Sequence, residues 1–146
     1  MASPPFETTD PANYRLFTDE LVRYTDMDAL GHANNNAYGI YFETARIDFY
    51  DRLGLFEHGS GMYVALLEVR IRFLSELVYP DRLSIGTRVT RIGTKSFGLA
   101  QGLFVERDGA TTCGADMLSE FCRFDLEARK SAPLDDRQRA ILRAWT

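Results

Sequence analysis

One stretch of this chain carries a helical apolar period, and nearly everything after it carries a period of two. Tyr38, Tyr41, Phe42, Ala45, Phe49 and Leu53 recur at steps of three and four, so Tyr38–Leu53 reads as a helix with one wide apolar face. Gly54 is a natural C-terminal stop, and any of Asn34, Asn35 and Asn36 can cap the start. Past "EHGSG" the pattern changes. In "ALLEVRIRF", Ala65, Leu67, Val69, Ile71 and Phe73 alternate with Glu68, Arg70 and Arg72, as in a half-buried strand. "VYPD" turns the chain at Pro80 and Asp81. Leu83, Ile85 and Val89 are then in phase. "GTKS" turns it again, and Phe97, Leu99, Leu103 and Val105 follow. Asp108-Gly109 is a hairpin signal, and "TTCGADMLSEFCRFD" is the last strand. Pro133 and Asp135 precede a short amphipathic helix carrying Leu134, Ile141, Leu142 and Trp145.

A further short strand, Phe17–Tyr24, lies ahead of the long helix. Short turns imply antiparallel neighbours, so the order describes an α+β fold. We expect a five-stranded antiparallel sheet curled around one long central helix, with a short C-terminal helix added. Such a sheet leaves long edges, which are commonly covered by pairing with a second copy. Residues 1–15, rich in Pro, Thr and Asp, are expected to fray, leaving 16–146 as one domain. A formal charge of -4 argues against a nucleic-acid partner. No apolar run approaches the roughly 20 residues of a membrane span, and "MASPPFETTDPANYR" lacks the basic start and apolar stretch of a signal peptide. Cys113 and Cys122 read as reduced thiols, which places the protein in the cytoplasm.

The stretch "RYTDMDALGHANNNAYGIYFETAR" crowds Asp26, Asp28, Gly31, His32 and three asparagines ahead of the apolar helix. Turn chemistry alone accounts for aspartates in a loop. An EF-hand fails, because Leu30 and Ala37 stand where oxygen ligands are needed. Zinc is poorly served by two distant histidines, His32 and His58, and we expect no metal and no cofactor. Ser60 lacks the glycine two positions earlier that a nucleophile elbow requires, and no phosphate-cradling loop is present. What remains is a carboxylate, a flexible glycine and a helix start. The first amides of a helix lack backbone partners and sit at the positive end of its dipole, where they can hold the oxyanion that forms when a carbonyl is attacked. A carboxylate beside them can act on the same carbonyl or on a water next to it.

The motif "YTDMDALGHANNNAYGIYFETAR" resembles the signature of the 4-hydroxybenzoyl-CoA thioesterase family of hotdog-fold enzymes. Later, "VRIRFLSELVYPDRLSIGTRVTRIGTKSF" resembles the family's second to fourth strands, and the likeness spans roughly residues 17 to 135. The resemblance implies an acyl-CoA thioesterase working as a homodimer or homotetramer. It gives Asp28 the role of base or nucleophile, leaves Asp26 to shape the loop, and puts the oxyanion donor at the backbone amide of Asn35, with Gly31 letting the loop approach. His32 stands where family members differ; it orients the carbonyl or a water, or it only packs. Tyr38, Tyr41 and Phe42 are expected to serve core and acyl pocket together. Arg88, Arg91, Lys95 and Ser96 form a candidate patch for the CoA phosphates, against which stands a solvated hairpin end. Glu43 and Arg46 read as a pair on the helix surface or at a dimer contact. Two rivals remain: a hotdog enoyl-CoA hydratase-like enzyme using Asp28 and His32, and a non-catalytic binding module for acyl-CoA or acyl carrier.

Overall fold

The computed structural model describes all 146 residues. Strand β1 (Leu16–Leu21) leads through a 3-10 turn (Tyr24–Asp26) into a loop over residues 27–34 and then helix α1 (Asn35–Leu53). Four long antiparallel strands follow: β2 (Met62–Phe73), β3 (Arg82–Ile92), β4 (Ser96–Arg107) and β5 (Ala110–Asp125). A two-residue strand β6 (Lys130–Ser131) and helix α2 (Asp136–Arg143) close the chain. The sheet order is β1-β3-β4-β5-β2, with β6 against β5, so the expected five strands gain a short sixth. β1 and β2 are therefore its long-range edges.

Helix α1 begins one turn earlier than its apolar period suggests. The Asn34 side chain accepts from the Asn36 amide and fixes the start, and Gly54 at φ 57° ends the helix in the left-handed conformation. Its stripe of Tyr38, Tyr41, Phe42, Ala45 and Phe49 is buried against the concave face of the sheet, on Ile85, Leu99, Leu103 and Phe121 among others. Each such large side chain contributes roughly 1.5–3 kcal/mol on burial. The hairpin from β4 to β5 turns through Asp108 and Gly109, at φ 52° and 75°, the conformation a two-residue hairpin favours.

Within residues 1–15, expected to fray, Thr8 and Tyr14 are buried on the outer face of the sheet. There a Cβ at Gly86 would lie 2.4 Å from the Tyr14 ring, so glycine is what admits the contact. Thr8 donates to Asp116, which also holds Arg72. Cys113 and Cys122 are free thiols. Nine residues apart on β5, they are about 30 Å from each other and cannot bridge.

The alternation expected of β2 is broken. Leu66 pairs with Phe121 and Glu68 pairs with Glu120, which leaves Leu67 as a bulge. Val69, Ile71 and Phe73 share a face as expected. Ala65 and Leu67 do not join them, because the extra residue rotates the strand; Met62, Val64 and Leu66 turn toward the helix instead.

Candidate active site

The loop before α1 is closed on itself by hydrogen bonds. Asp28 donates its amide to His32 O at 3.0 Å and accepts from the Gly31 amide at 3.1 Å. Gly31 sits at φ 85°, which a side chain would strain. Asp26 and Asp28 have opposite surroundings. The Asp26 carboxylate is nearly buried and accepts from the Tyr41 hydroxyl at 2.6 Å and from the Arg23 amide at 2.9 Å. Burial by itself raises such a carboxyl. The Tyr41 and Arg23 hydrogen bonds outweigh it and bring Asp26 below the ordinary carboxylate range. Arg23, the loop's arginine, is committed to this pair. Asp28 instead accepts from the Leu30 amide at 2.9 Å, and its other oxygen lies 3.4 Å from the Asn34 side-chain nitrogen.

The helix start can be fully accounted for. The Asn34 amide donates to Asp26 O at 2.8 Å, the Asn36 amide to the Asn34 side chain at 2.9 Å, and the Ala37 amide to Asn34 O at 2.9 Å. Of the four amides that an α-helix leaves without internal partners, only that of Asn35 is uncommitted. Asp28 and Gly31 line an open cavity of about 420 Å³ together with Tyr24, Met27 and Tyr79. Tyr24 is 77% exposed and Tyr79 50%, and their rings meet edge-on at 5.8 Å beside Asp28. Neither tyrosine was singled out from sequence; both belong to turns, where aromatic residues carry no periodic signal.

The other expected residues are not all brought here. The His32 ring faces Ala33 O at 3.3 Å and Glu76 at 4.0 Å and makes no hydrogen bond to Asp28. Tyr38, Tyr41 and Phe42 are core residues; Tyr38 donates to Ser75 O at 3.0 Å, and none of the three lines the Asp28 cavity. The basic turn is at the far end of the molecule. β3 starts beside the loop, where the Val22 amide reaches Asp81 O at 3.0 Å, and Lys95 and Ser96 follow its other end. Its 11 residues span about 35 Å. Arg88 lies over the Phe6 ring, 4.2 Å from its centre, and donates to Asn13 O. Arg91 is paired with Glu120 and donates to the Ser96 hydroxyl. Only Lys95 of this group stands exposed and uncommitted. Within one chain these four residues cannot meet a ligand held at Asp28.

A second cavity, of about 290 Å³, lies between the C-terminal half of α1 and the start of β2. Met62, Val64, Phe56 and Phe121 form its apolar walls, and Arg46 and Tyr50 join them from the helix. Arg46 is only 9% exposed, with its guanidinium 4.9 Å above the Phe121 ring and Glu43 at 3.2 Å, so it is no surface residue. The signal was present in the sequence: Arg46 sits four residues after Phe42 and three before Phe49, on the apolar face.

Residues 22–142 match the thioesterase-like superfamily. Over 123 residues the chain is 28% identical to the long-chain acyl-CoA thioesterase FadM of Escherichia coli (strain K12), covering 83% of this chain and 92% of that protein. It is 24% identical over 87 residues to YsmA, an uncharacterized protein of Bacillus subtilis (strain 168), which covers 60% of this chain and 59% of YsmA. A 4-hydroxybenzoyl CoA thioesterase variant crystallised with 4-hydroxybenzoyl CoA superimposes with a TM-score of 0.81 at 12% identity, covering 87% of this chain and 97% of that one. That likeness shows a shared fold. No helix here is long and apolar enough to cross a membrane. With most of its length matched, the chain belongs to the thioesterase-like superfamily of hotdog proteins.

Proposed function

We propose that the protein hydrolyses acyl-CoA thioesters to the free acid and CoA. The observation that carries this reading lies at the start of α1: Asp28, a carboxylate without a cationic partner, lines an open cavity and reaches to 3.4 Å from the side chain of the helix cap Asn34, whose successor Asn35 has the one uncommitted amide of the helix start. The thioester carbonyl oxygen points at that amide, where the developing oxyanion is stabilised by the hydrogen bond and the helix dipole. Asp28 either attacks the carbonyl carbon and displaces CoA thiolate, forming a mixed anhydride that water then hydrolyses to the acid and free Asp28, or takes a proton from a water that attacks the carbonyl directly. Thiolate departs readily and needs no strong acid. Similarity to FadM supports an acyl-CoA as the substrate class. The working unit is a homodimer in this reading, joined along β2, whose Leu66, Val69 and Phe73 are exposed apolar residues on a free edge. A two-fold axis across antiparallel β2 edges sets the basic turn of one copy toward the Asp28 end of the other, where Lys95 can meet the CoA phosphates. Such a dimer is compatible with further pairing to a tetramer.

The test is release of free thiol over short, long, branched and aromatic acyl-CoAs, with Asp28→Asn beside wild type. Hydrolysis that depends on Asp28 supports the proposal; normal rates in the variant remove Asp28 from its role. Loss of conjugated absorbance from a crotonyl thioester without free thiol marks the hydratase instead. Saturable binding without thiol release across the panel marks a binding module.

A further inference from the structure

The N-terminal amide and the second cavity lie on one stripe of one helix. Asn35, Gly39, Glu43, Arg46 and Tyr50 are spaced by four, four, three and four residues, which stacks them along a single side of α1. Opposite runs the helix-facing side of β2, from Phe73, whose ring meets Tyr38 at 5.1 Å, to Val64 and Met62 at the second cavity. Val69 and Phe73 are 47% and 48% exposed, so the apolar wall of this trough is open. Gly39 leaves it unobstructed: a Cβ there would meet nothing within 4 Å. Glycine costs a helix about 1 kcal/mol relative to alanine, and nothing within the chain asks for it at this point. From Asn35 to Arg46 the trough runs about 16 Å, and to Tyr50 about 22 Å.

The far cavity has apolar walls, a charged rim and a polar floor. The Tyr50 hydroxyl is buried and has no hydrogen-bond partner. Arg46, beside it, spends one guanidinium nitrogen on Glu43 and has no other protein acceptor. Buried donors left empty are costly, and native proteins rarely keep them. Three carboxylates, of Glu43, Asp51 and Glu57, line the same cavity, against Arg46 and a His58 that is bonded to Asp51 at 3.2 Å. That excess of negative charge repels a second carboxylate and favours a neutral acceptor.

We infer that the trough holds the acyl group of a long-chain thioester whose far end carries a neutral oxygen, a hydroxyl or a keto group, accepted between Tyr50 and Arg46. This rests on the hydrolase reading for the position of the carbonyl at Asn35; the polar floor does not depend on it. The chemistry selected is that of oxygenated long-chain acyl groups over plain chains of equal length and over dicarboxylic ones.

The experiment has two readouts on the intact protein. The first is kcat/KM by thiol release for dodecanoyl-CoA and for its hydroxy, keto and carboxy derivatives, with the oxygen stepped from mid-chain to the terminus. The second is equilibrium binding of the corresponding free acids. At least one hydroxy or keto position is expected to exceed the plain chain about tenfold, the scale of a hydrogen bond to buried donors. Tyr50→Phe is expected to cut that ratio at least about fivefold while leaving or raising Tm, since the hydroxyl it removes has no partner; a merely structural tyrosine would lose stability and leave the ratio alone. Gly39→Leu, which fills the trough, is expected to lower the ratio of long-chain to butyryl turnover. Hydrolysis with no position preferred by more than about twofold overturns the inference and leaves the hydrolase standing. So does a Gly39→Leu effect on dimerisation alone, which would make the trough an interface between copies. Preferred binding of oxygenated acids without any thiol release sinks the hydrolase and leaves the subsite.

Discussion

Under the proposed function the two ends of helix α1 do different work. At the N-terminal end the Asp28 carboxylate has no cationic partner and the Asn35 amide is uncommitted, while Asp26 beside them is bonded to Tyr41 and Arg23. At the far end two charge pairs, Glu43–Arg46 and Asp51–His58, flank apolar walls, and the buried Tyr50 hydroxyl lacks a partner. Reactive groups must stay free of strong internal bonds, whereas a recognition surface can pair its charges and still select by shape and by one or two donors. In this protein a single 19-residue rod fixes the spacing between the two tasks.

The sharpest way to break this contrast is at Asp28. Asp28→Asn is expected to lose at least about a hundredfold in kcat while Tm stays near wild type, because the amide can keep the Leu30 contact. Equal losses of rate and stability would mean that the loop, not the chemistry, was damaged. Its neighbour should behave in the opposite way. Asp26→Asn is expected to cost about 1–2 kcal/mol of stability at pH 7, read by denaturant unfolding, since it removes charge from a nearly buried carboxylate bonded to Tyr41 and Arg23. The sign with pH follows from the lowered carboxyl. Its contribution is complete above the ordinary value near 4 and fades as pH falls through the depressed one, so the difference between wild type and variant should shrink below about pH 4.

Milder changes probe the space between the ends. Val69→Lys puts a charge on the exposed edge strand and is expected to weaken the proposed dimer by about tenfold, measured by sedimentation; a chain that sediments as a monomer in both forms removes the dimer from the proposal. The smallest effect belongs to Gly39→Ala, which should raise stability by about 0.5–1 kcal/mol where the trough is empty, because nothing opposes the added methyl. A loss instead would show that something occupies that face in the free protein.

How much of this could be read beforehand depended on the kind of residue. The helix, its glycine stop and the Asp108-Gly109 hairpin were legible, because periodicity and turn chemistry are local; the expected four-strand meander holds only from β3 to β5, since β2 pairs with β5 across the sheet and not with β3. The loop was legible in composition, and the different fates of Asp26 and Asp28 came from resemblance alone, since sequence spacing does not say which carboxylate meets Tyr41. Two placements were not legible for a physical reason. Glu43 and Arg46 form the pair expected at the helix surface or a dimer contact, but Arg46 is buried among Phe42 and Phe49. The basic turn lies far from Asp28 within one chain, because an extended strand of 11 residues holds them apart. Tertiary separations of that kind leave no trace in a one-dimensional pattern.

The bulge at Leu67 has a wider effect than its single residue suggests. It works as a phase shifter in an edge strand: upstream and downstream halves run with opposite parity, so the wall of the far cavity and the wall near Tyr38 both point inward only while the extra residue is in place. Deleting it would send Met62, Val64 and Leu66 outward and bring Tyr63 and Ala65 in, dismantling one end of the molecule while the other kept its shape. A family that varies by insertion or loss of one residue here could change what it accepts without touching a catalytic group.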